Sequence, residues 1–370
     1  MTDLFEPLVL RGVTLKNRIG VSPMCMYSCG PDGMPTEWHL AHLVARAVGG
    51  AAVTFTEAAA VAPEGRISPA DLGIWSDAHL PGHQRLTAAI AAAGSVPGIQ
   101  LAHAGRKASR KAPWEDGPAE PGWTTLAPSA VAFGDYAVPR AMSEADIEQA
   151  IADFAAAAKR SIAAGYRIIE LHAAHGYLLH QFLSPLSNQR NDGWGGDLNG
   201  RARLVEEVVK AVRAAIPDEV PLVIRVSHTD WVEGGWDTAE TVQLAARVKA
   251  LGVDMVDVSS GGLDHRQKIV LGPGYQVPGA VAVKDGAKIP VAAVGLITEP
   301  AQAQAILAEG KADLILLARV LLRDPYWPLH AAEALGRPEA IPTPPQYERG
   351  WATFGRMQRL MSTAAVQARL

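Results

Sequence analysis

Eight short runs rich in β-branched residues recur along this chain, each followed by a stretch that reads as helix, loop or both. They are Ile19–Ser22, Ala52–Thr56, Gly98–Ala102, Arg167–His172, Leu222–Ser227, Asp254–Ser259, Val291–Val294 and Asp313–Leu317. A crossover helix returns the chain to the same end of a sheet, so such units predict parallel strands. Eight of them close into a (β/α)8 TIM barrel; an open, doubly wound sheet is the alternative if fewer are true strands. Pro290 stands just before the seventh run, where its missing N–H does no harm to the ladder.

The connecting segments carry helix signals. Ser143 with Asp146 makes a capping box, followed by Ile147, Ile151, Phe154 and Ile162 on one face. Over 201–216, Leu204, Val205, Val208, Val209, Val212 and Ile216 form one apolar stripe, with Glu206–Lys210 expected as an outer ion pair. Thr298 and Pro300 open a helix that Gly310 closes. Ahead of the first barrel strand, Leu8–Leu10 and Val13–Leu15 flank Arg11-Gly12, a β-hairpin placed to plug the barrel's bottom. Pro338, Pro342, Pro344 and Pro345 mark an extended C-terminal tail over about 338–370, so residues 1–370 read as one barrel unit with a tail.

Composition removes whole classes of function. With 34 Lys+Arg against 38 Asp+Glu and a net charge of −4, no basic surface is expected for nucleic acid. The opening MTDLFEPLVL lacks the basic-then-apolar order of a secretory signal, and no run of about 18 apolar residues suggests a membrane span. Cys25 and Cys29 are the only cysteines, too few for a disulfide framework or a cysteine-held cluster, and a cytoplasmic protein is expected. Neither a Gly-x-Gly-x-x-Gly turn nor a Walker loop is present, so a nicotinamide has no dedicated Rossmann site.

Barrel chemistry sits where strands end. The fourth run ends in His172-Ala173-Ala174-His175-Gly176-Tyr177. Two neutral imidazoles aimed at one carbonyl oxygen would stabilise charge developing there, and a nearby phenol can pass a proton to carbon. Two other readings stay open: a His-x-x-His metal site completed by Glu170 or Asp192, serving a metal-dependent hydrolase or lyase, and plain loop histidines. Glu170 points into the barrel by strand parity, with Arg225 on the neighbouring strand as its expected partner. Ser22-Pro23-Met24-Cys25-Met26-Tyr27 ends the first strand in polarisable groups suited to a broad aromatic ring, unless Met24 and Cys25 are only core fillers. Gln100 offers donors and an acceptor to a heterocycle edge, with His103, Arg106 and Lys107 just beyond it, and Arg225 suits the negative end of a reduced flavin. After the last three strands, Gly261-Gly262, Gly295 and Ala318-Arg319 lie where barrels hold phosphate.

Taken together, Ser22-Pro23-Met24-Cys25, the Gln100 to Lys107 segment, His172 to Tyr177 and Gln189-Arg190-x-Asp192-x-x-Gly195-Gly196 resemble the Old Yellow Enzyme family. Cys25 in place of threonine is similar to its thermophilic-like bacterial subgroup. The resemblance implies tightly bound FMN, NADPH or NADH as a transient reductant, and small activated alkenes as substrates. It implies that His172 and His175 bind the substrate carbonyl, Tyr177 donates the proton, Tyr27 helps bind substrate, and Lys107 lies near the entrance. FMN would be held by Ser22, Pro23, Met24, Cys25, Ala58, Gln100, His172, Arg225, Gly261, Gly262, Gly295, Ala318 and Arg319, with no metal. Gln346 to Trp351 resembles a tail whose Arg349 and Trp351 reach a neighbour's site in a homodimer or homotetramer. Ala318 departs from the family's glycine, and a positive φ there would strain it.

Overall fold

The computed structural model describes residues 2–351. The remainder of the expected tail, 352–370, lies outside the described residues. All eight runs are strands, and they close on themselves. In chain order the strands are β1 (Leu8–Leu10), β2 (Val13–Leu15), β3 (Ile19–Val21), β4 (Val53–Ala60), β5 (Val96–Ala102), β6 (Leu126–Ala127), β7 (Arg140–Ala141), β8 (Ile168–Ala173), β9 (Leu222–Ser227), β10 (Met255–Ser259), β11 (Val291–Ala293) and β12 (Leu314–Leu317). The barrel runs β3-β4-β5-β8-β9-β10-β11-β12 and back to β3, every neighbouring pair parallel. Between β5 and β8 the chain also forms the short pair β6–β7 outside the barrel.

Strand parity sorts side chains between two environments. Ile169, Leu171, Ile224, Val226, Val256 and Val258 point outward into the core shared with the surrounding helices. Inside, three levels follow one another. At the bottom Ile168, Val223, Met255, Phe55 and Leu314 pack with Leu10, Val13 and Leu15 of the β1–β2 hairpin, so the hairpin is the floor that was expected. Above them lie Gln100, Glu170, Arg225 and Asp257, all buried. His172, Ser227 and Ser259 come last, at the C-terminal rim.

The helices follow their caps. Ser143 accepts from the N–H of Asp146, which returns the bond, and Ile147 and Phe154 of the helix Glu144–Ala163 are buried. The stripe Leu204–Val212 is buried as expected, but the ion pair is not Glu206–Lys210. Lys210 takes Glu207 at 2.8 Å, while Glu206 turns to Arg247 of the next helix at 3.3 Å. Glu299 rather than Thr298 stands just before the helix Pro300–Ala308. No described helix is long and apolar enough to cross a membrane. Since Leu15 is wholly buried in the floor, Leu15→Ala is expected to lower unfolding stability by about 2–5 kcal/mol in urea titration. A loss under about 1 kcal/mol would show that the hairpin does not seal the barrel.

Candidate active site

β8 ends at Ala173, and the chain then makes a tight turn through His175 (φ 58°) and Gly176 (φ 72°). The turn stacks three rings. His172 and His175 have centroids 5.1 Å apart and His172 and Tyr177 5.0 Å, both pairs edge-on. A left-handed non-glycine backbone at His175 is costly, and the neighbours hold it there. Ser227 Oγ accepts the His175 N–H at 2.9 Å, and Lys107 Nζ donates to the carbonyls of His175 and Gly262, both at 2.9 Å. Lys107 is thus a strut under the turn, with burial pushing its pKa down to about 8. Gly262, itself at φ 89°, is the residue that lets this strand end approach, since a Cβ there would lie 2.6 Å from His175 Cα.

Burial, reinforced by the Arg225 charge, holds both imidazoles well below the ordinary histidine range, so they are neutral. Their protons are placed differently. His172 Nδ1 accepts the Ala174 N–H at 3.3 Å, which puts its proton on Nε2. Among the described residues that Nε2–H has no partner. His175 Nε2 instead lies 2.7 Å from Ser259 Oγ, whose hydroxyl reaches Gln276 Oε1 at 3.3 Å. Burial raises Tyr177 well above the usual phenol value and keeps it protonated.

Beside these rings stands the loop after β3. Burial and the Glu57 charge raise the Cys25 thiol, and burial, with smaller contributions from Cys25 and Tyr177, raises the Tyr27 phenol. The loop is anchored by residues that sequence reasoning missed. Glu57 Oε2 accepts the Met26 N–H at 3.0 Å, and His39 Nε2 lies 2.9 Å from Glu57 Oε1. Pro23 is half-buried, and Met24 packs partly on the outer core. A register shift in β4 after Phe55 sets Ala58 opposite Gln100, and Ala58 and Tyr177 line one small cavity. Trp114 was also missed. It meets the Tyr27 ring edge-on at 5.6 Å yet is 69% exposed, a contact made by a loop with no periodic signal.

The buried middle level corrects one pairing. Arg225 Nε lies 3.1 Å from Asp257 Oδ2, not on Glu170, and its Nη1 donates to Ser22 Oγ at 2.9 Å. Glu170 accepts from Gln100 Nε2 at 2.8 Å. Asp257 sits directly opposite Arg225 in the β9–β10 register, which gives it the closer approach. Burial and the Asp257 charge raise the Glu170 carboxyl, and burial raises Asp257 against the pull of Arg225.

Towards the ends of β10, β11 and β12 a cavity of about 190 Å³ opens, lined by His175, Arg225, Gln276, Gly295, Ala318 and Arg319 among others. Gly295 has φ 110°, and the Arg319 side chain has no hydrogen bond or ion pair among the described residues. Ala318 has φ −113°, so the feared strain is absent. Gly261 and Gly262 do not offer N–H groups to this cavity, because Thr229 O and Gln267 Oε1 already accept them at 2.8 and 2.7 Å. Arg349 is exposed, and Trp351 packs against His330 at 5.0 Å, so within one chain neither joins the His172–Tyr177 site. The metal reading fails on its donors. Among the described residues no three His, Cys, Asp or Glu side chains cluster as ligands, since Glu170 is held by Gln100 and Asp192 by Arg190.

This arrangement has relatives. The profile of the NADH:flavin oxidoreductase / NADH oxidase family matches residues 3–337. The chain belongs to that family. An NADPH dehydrogenase of Geobacillus sp. (strain WCH70) is 48% identical over 352 residues, 95% of this chain and 99% of its own. Morphinone reductase in complex with tetrahydroNAD superposes at a TM-score of 0.74, with 27% identity, covering 91% of this chain and 92% of that one. An Old Yellow Enzyme homologue from Zymomonas mobilis does so at 0.76, also with 27% identity, over 90% and 93%. This member of the NADH:flavin oxidoreductase family is an NAD(P)H-dependent flavin oxidoreductase of the Old Yellow Enzyme type with FMN as its cofactor. The residues fit FMN: an unpaired Arg319 and a left-handed glycine at a phosphate-sized cavity, and an orphaned buried oxygen, Glu170 Oε2, in the barrel's charged level.

Because the site histidines are held neutral, ¹⁵N spectra of the FMN-loaded protein should show His172 and His175 uncharged from about pH 8 down to about pH 5.5. Lowered pKa values mean that the proton is gained only on going further into acid. An imidazolium signal from either residue at pH 6 would contradict the electrostatics.

Proposed function

We propose that this oxidoreductase reduces the carbon–carbon double bond of small α,β-unsaturated carbonyl compounds, with His172 as the principal electrophilic group and Tyr177 as the acid. The supporting observation is the unpartnered Nε2–H of a neutral, buried His172 beside a protonated Tyr177. FMN, when bound, supplies a hydride to the β-carbon. The chain's own residues do the rest. His172 Nε2–H donates to the carbonyl oxygen, where negative charge collects as the β-carbon is attacked, and Tyr177 Oη delivers a proton to the α-carbon. His175 adds a second N–H only by leaving Ser259, so the two histidines are unequal partners. Ser22, Pro23, Met24, Cys25, Ala58, Gln100, Arg225, Gly295, Ala318 and Arg319 hold FMN, and Tyr27, walled by Trp114, packs the substrate. NADPH or NADH docks and leaves before the alkene enters. Arg349, exposed, and Trp351, half-buried against His330, complete a neighbouring copy's site in a homo-oligomer working in the cytoplasm, with residues 338–370 as the tail of a single barrel domain.

The purified protein should be yellow, bleach anaerobically with NADPH and regain colour on adding cyclohexenone. His172→Ala should slow the recolouring step about 10²–10³-fold, whereas His175→Ala should cost clearly less. Tyr177→Phe should slow that step by about 10²-fold or more while leaving bleaching intact. Equal losses at the two histidines would remove the asymmetry, and a colourless protein without extractable flavin would sink the reading.

A further inference from the structure

Beneath the His175–Tyr177 turn lies a buried polar pair that the proposed chemistry does not use. His180 and Asp230 are both completely buried. His180 Nδ1 accepts the N–H of Gly176 at 3.0 Å, and Gly176 is the residue between the two site side chains. On the far side of the ring, Nε2 lies 2.9 Å from Asp230 Oδ1. Neither atom has a hydrogen-bond partner among the described residues, so this close contact is bent and its attraction is electrostatic. Asp230 Oδ2 is occupied independently, accepting the Trp236 N–H at 2.8 Å and the Ser184 hydroxyl at 2.6 Å.

One tautomer satisfies all of this. Nδ1 must be bare to accept from Gly176, so the proton sits on Nε2, where the carboxylate stabilises it. Gln181, also buried, closes the other side of the same residue: its amide donates to Gly176 O at 2.7 Å. The Gly176 backbone, at φ 72°, is therefore gripped at both its N–H and its C=O.

We infer that Asp230 and His180 are positioning residues, a dyad that fixes the His180 tautomer and through it the left-handed turn presenting His175 and Tyr177. The inference rests on the reading that these two side chains meet the substrate. Its key test follows from donor counting. In Asp230→Asn the carboxamide oxygen must face the Trp236 N–H, so its NH2 faces His180 Nε2. His180 then carries its proton on Nδ1, N–H against the N–H of Gly176, and the turn loses its anchor although size and fold are unchanged. A catalytic aspartate replaced by asparagine acts through the same tautomer inversion in the serine-protease triad.

The experiment uses the FMN-loaded full chain. ¹⁵N-histidine spectra, with the His180 signal assigned by its loss in His180→Gln, should show the Nε2–H tautomer in the natural protein and Nδ1–H in Asp230→Asn. Titration with p-hydroxybenzaldehyde, followed by its long-wavelength band, should give about a tenfold higher Kd for Asp230→Asn, equal to ~1.4 kcal/mol, with flavin content unchanged. An imidazolium or Nδ1–H form of His180 in the natural protein would overturn the inference, as would undiminished phenol affinity once the tautomer has inverted. Failure of the natural protein to bind the phenol through His172 would instead count against the proposed function. If Asp230→Asn does not fold, the tautomer of the natural protein still decides.

Discussion

Alternation of side chains along eight parallel strands sets what stands at each height inside the barrel. On β8 the inward sequence is Ile168, Glu170, His172; on β9 it is Val223, Arg225, Ser227; on β10 it is Met255, Asp257, Ser259. Each runs from apolar to ionisable to small or polar donor. Closure of the strands converts these alternations into a dry floor, a buried charged level and a polar rim. A one-residue slip of β8 would send Glu170 and His172 outward among helix-facing aliphatics, so register and chemistry are a single requirement.

The charged level supplies the field in which the rim operates. Arg225 is held between Asp257 and Ser22, and its positive charge, added to burial, keeps His172 and His175 neutral. In a neutral imidazole, a nitrogen that accepts a hydrogen bond fixes the single N–H on the other, whereas a protonated ring has two donors and no acceptor. Position is settled from below by hydrogen bonds to the turn from Ser227, Lys107, His180 and Gln181. Donors prearranged in this way cost no reorganisation when charge develops, which is how buried dipoles accelerate reactions.

Much of this was legible in the sequence. The β-branched runs of the barrel are strong because parallel strands are buried on both faces, and the rim histidines and tyrosine are adjacent in the chain. Glu170 and Arg225 also read correctly as inward-facing, but parity specifies a face and not a partner; the β9–β10 register handed Arg225 to Asp257. Glu57, His39 and Asp230 were invisible for the same reason: each acts on residues from 18 to about 50 positions away, through contacts that only barrel closure creates. At Gly261 and Gly262 the sequence could signal close backbone approach but not to what. Here Gly262 closes on the backbone of His175, while Gly261 closes on the side chains of Gln267, Ile269 and Trp231.

The central claim is that an already aimed His172 N–H receives the oxygen on which negative charge accumulates. A crystal structure of the FMN-loaded protein with p-hydroxybenzaldehyde tests it directly. The phenolate oxygen is expected about 2.7–3.1 Å from His172 Nε2, with His172 Nδ1 still accepting from Ala174. An oxygen held by a metal, or by backbone groups with His172 turned away, would contradict the account.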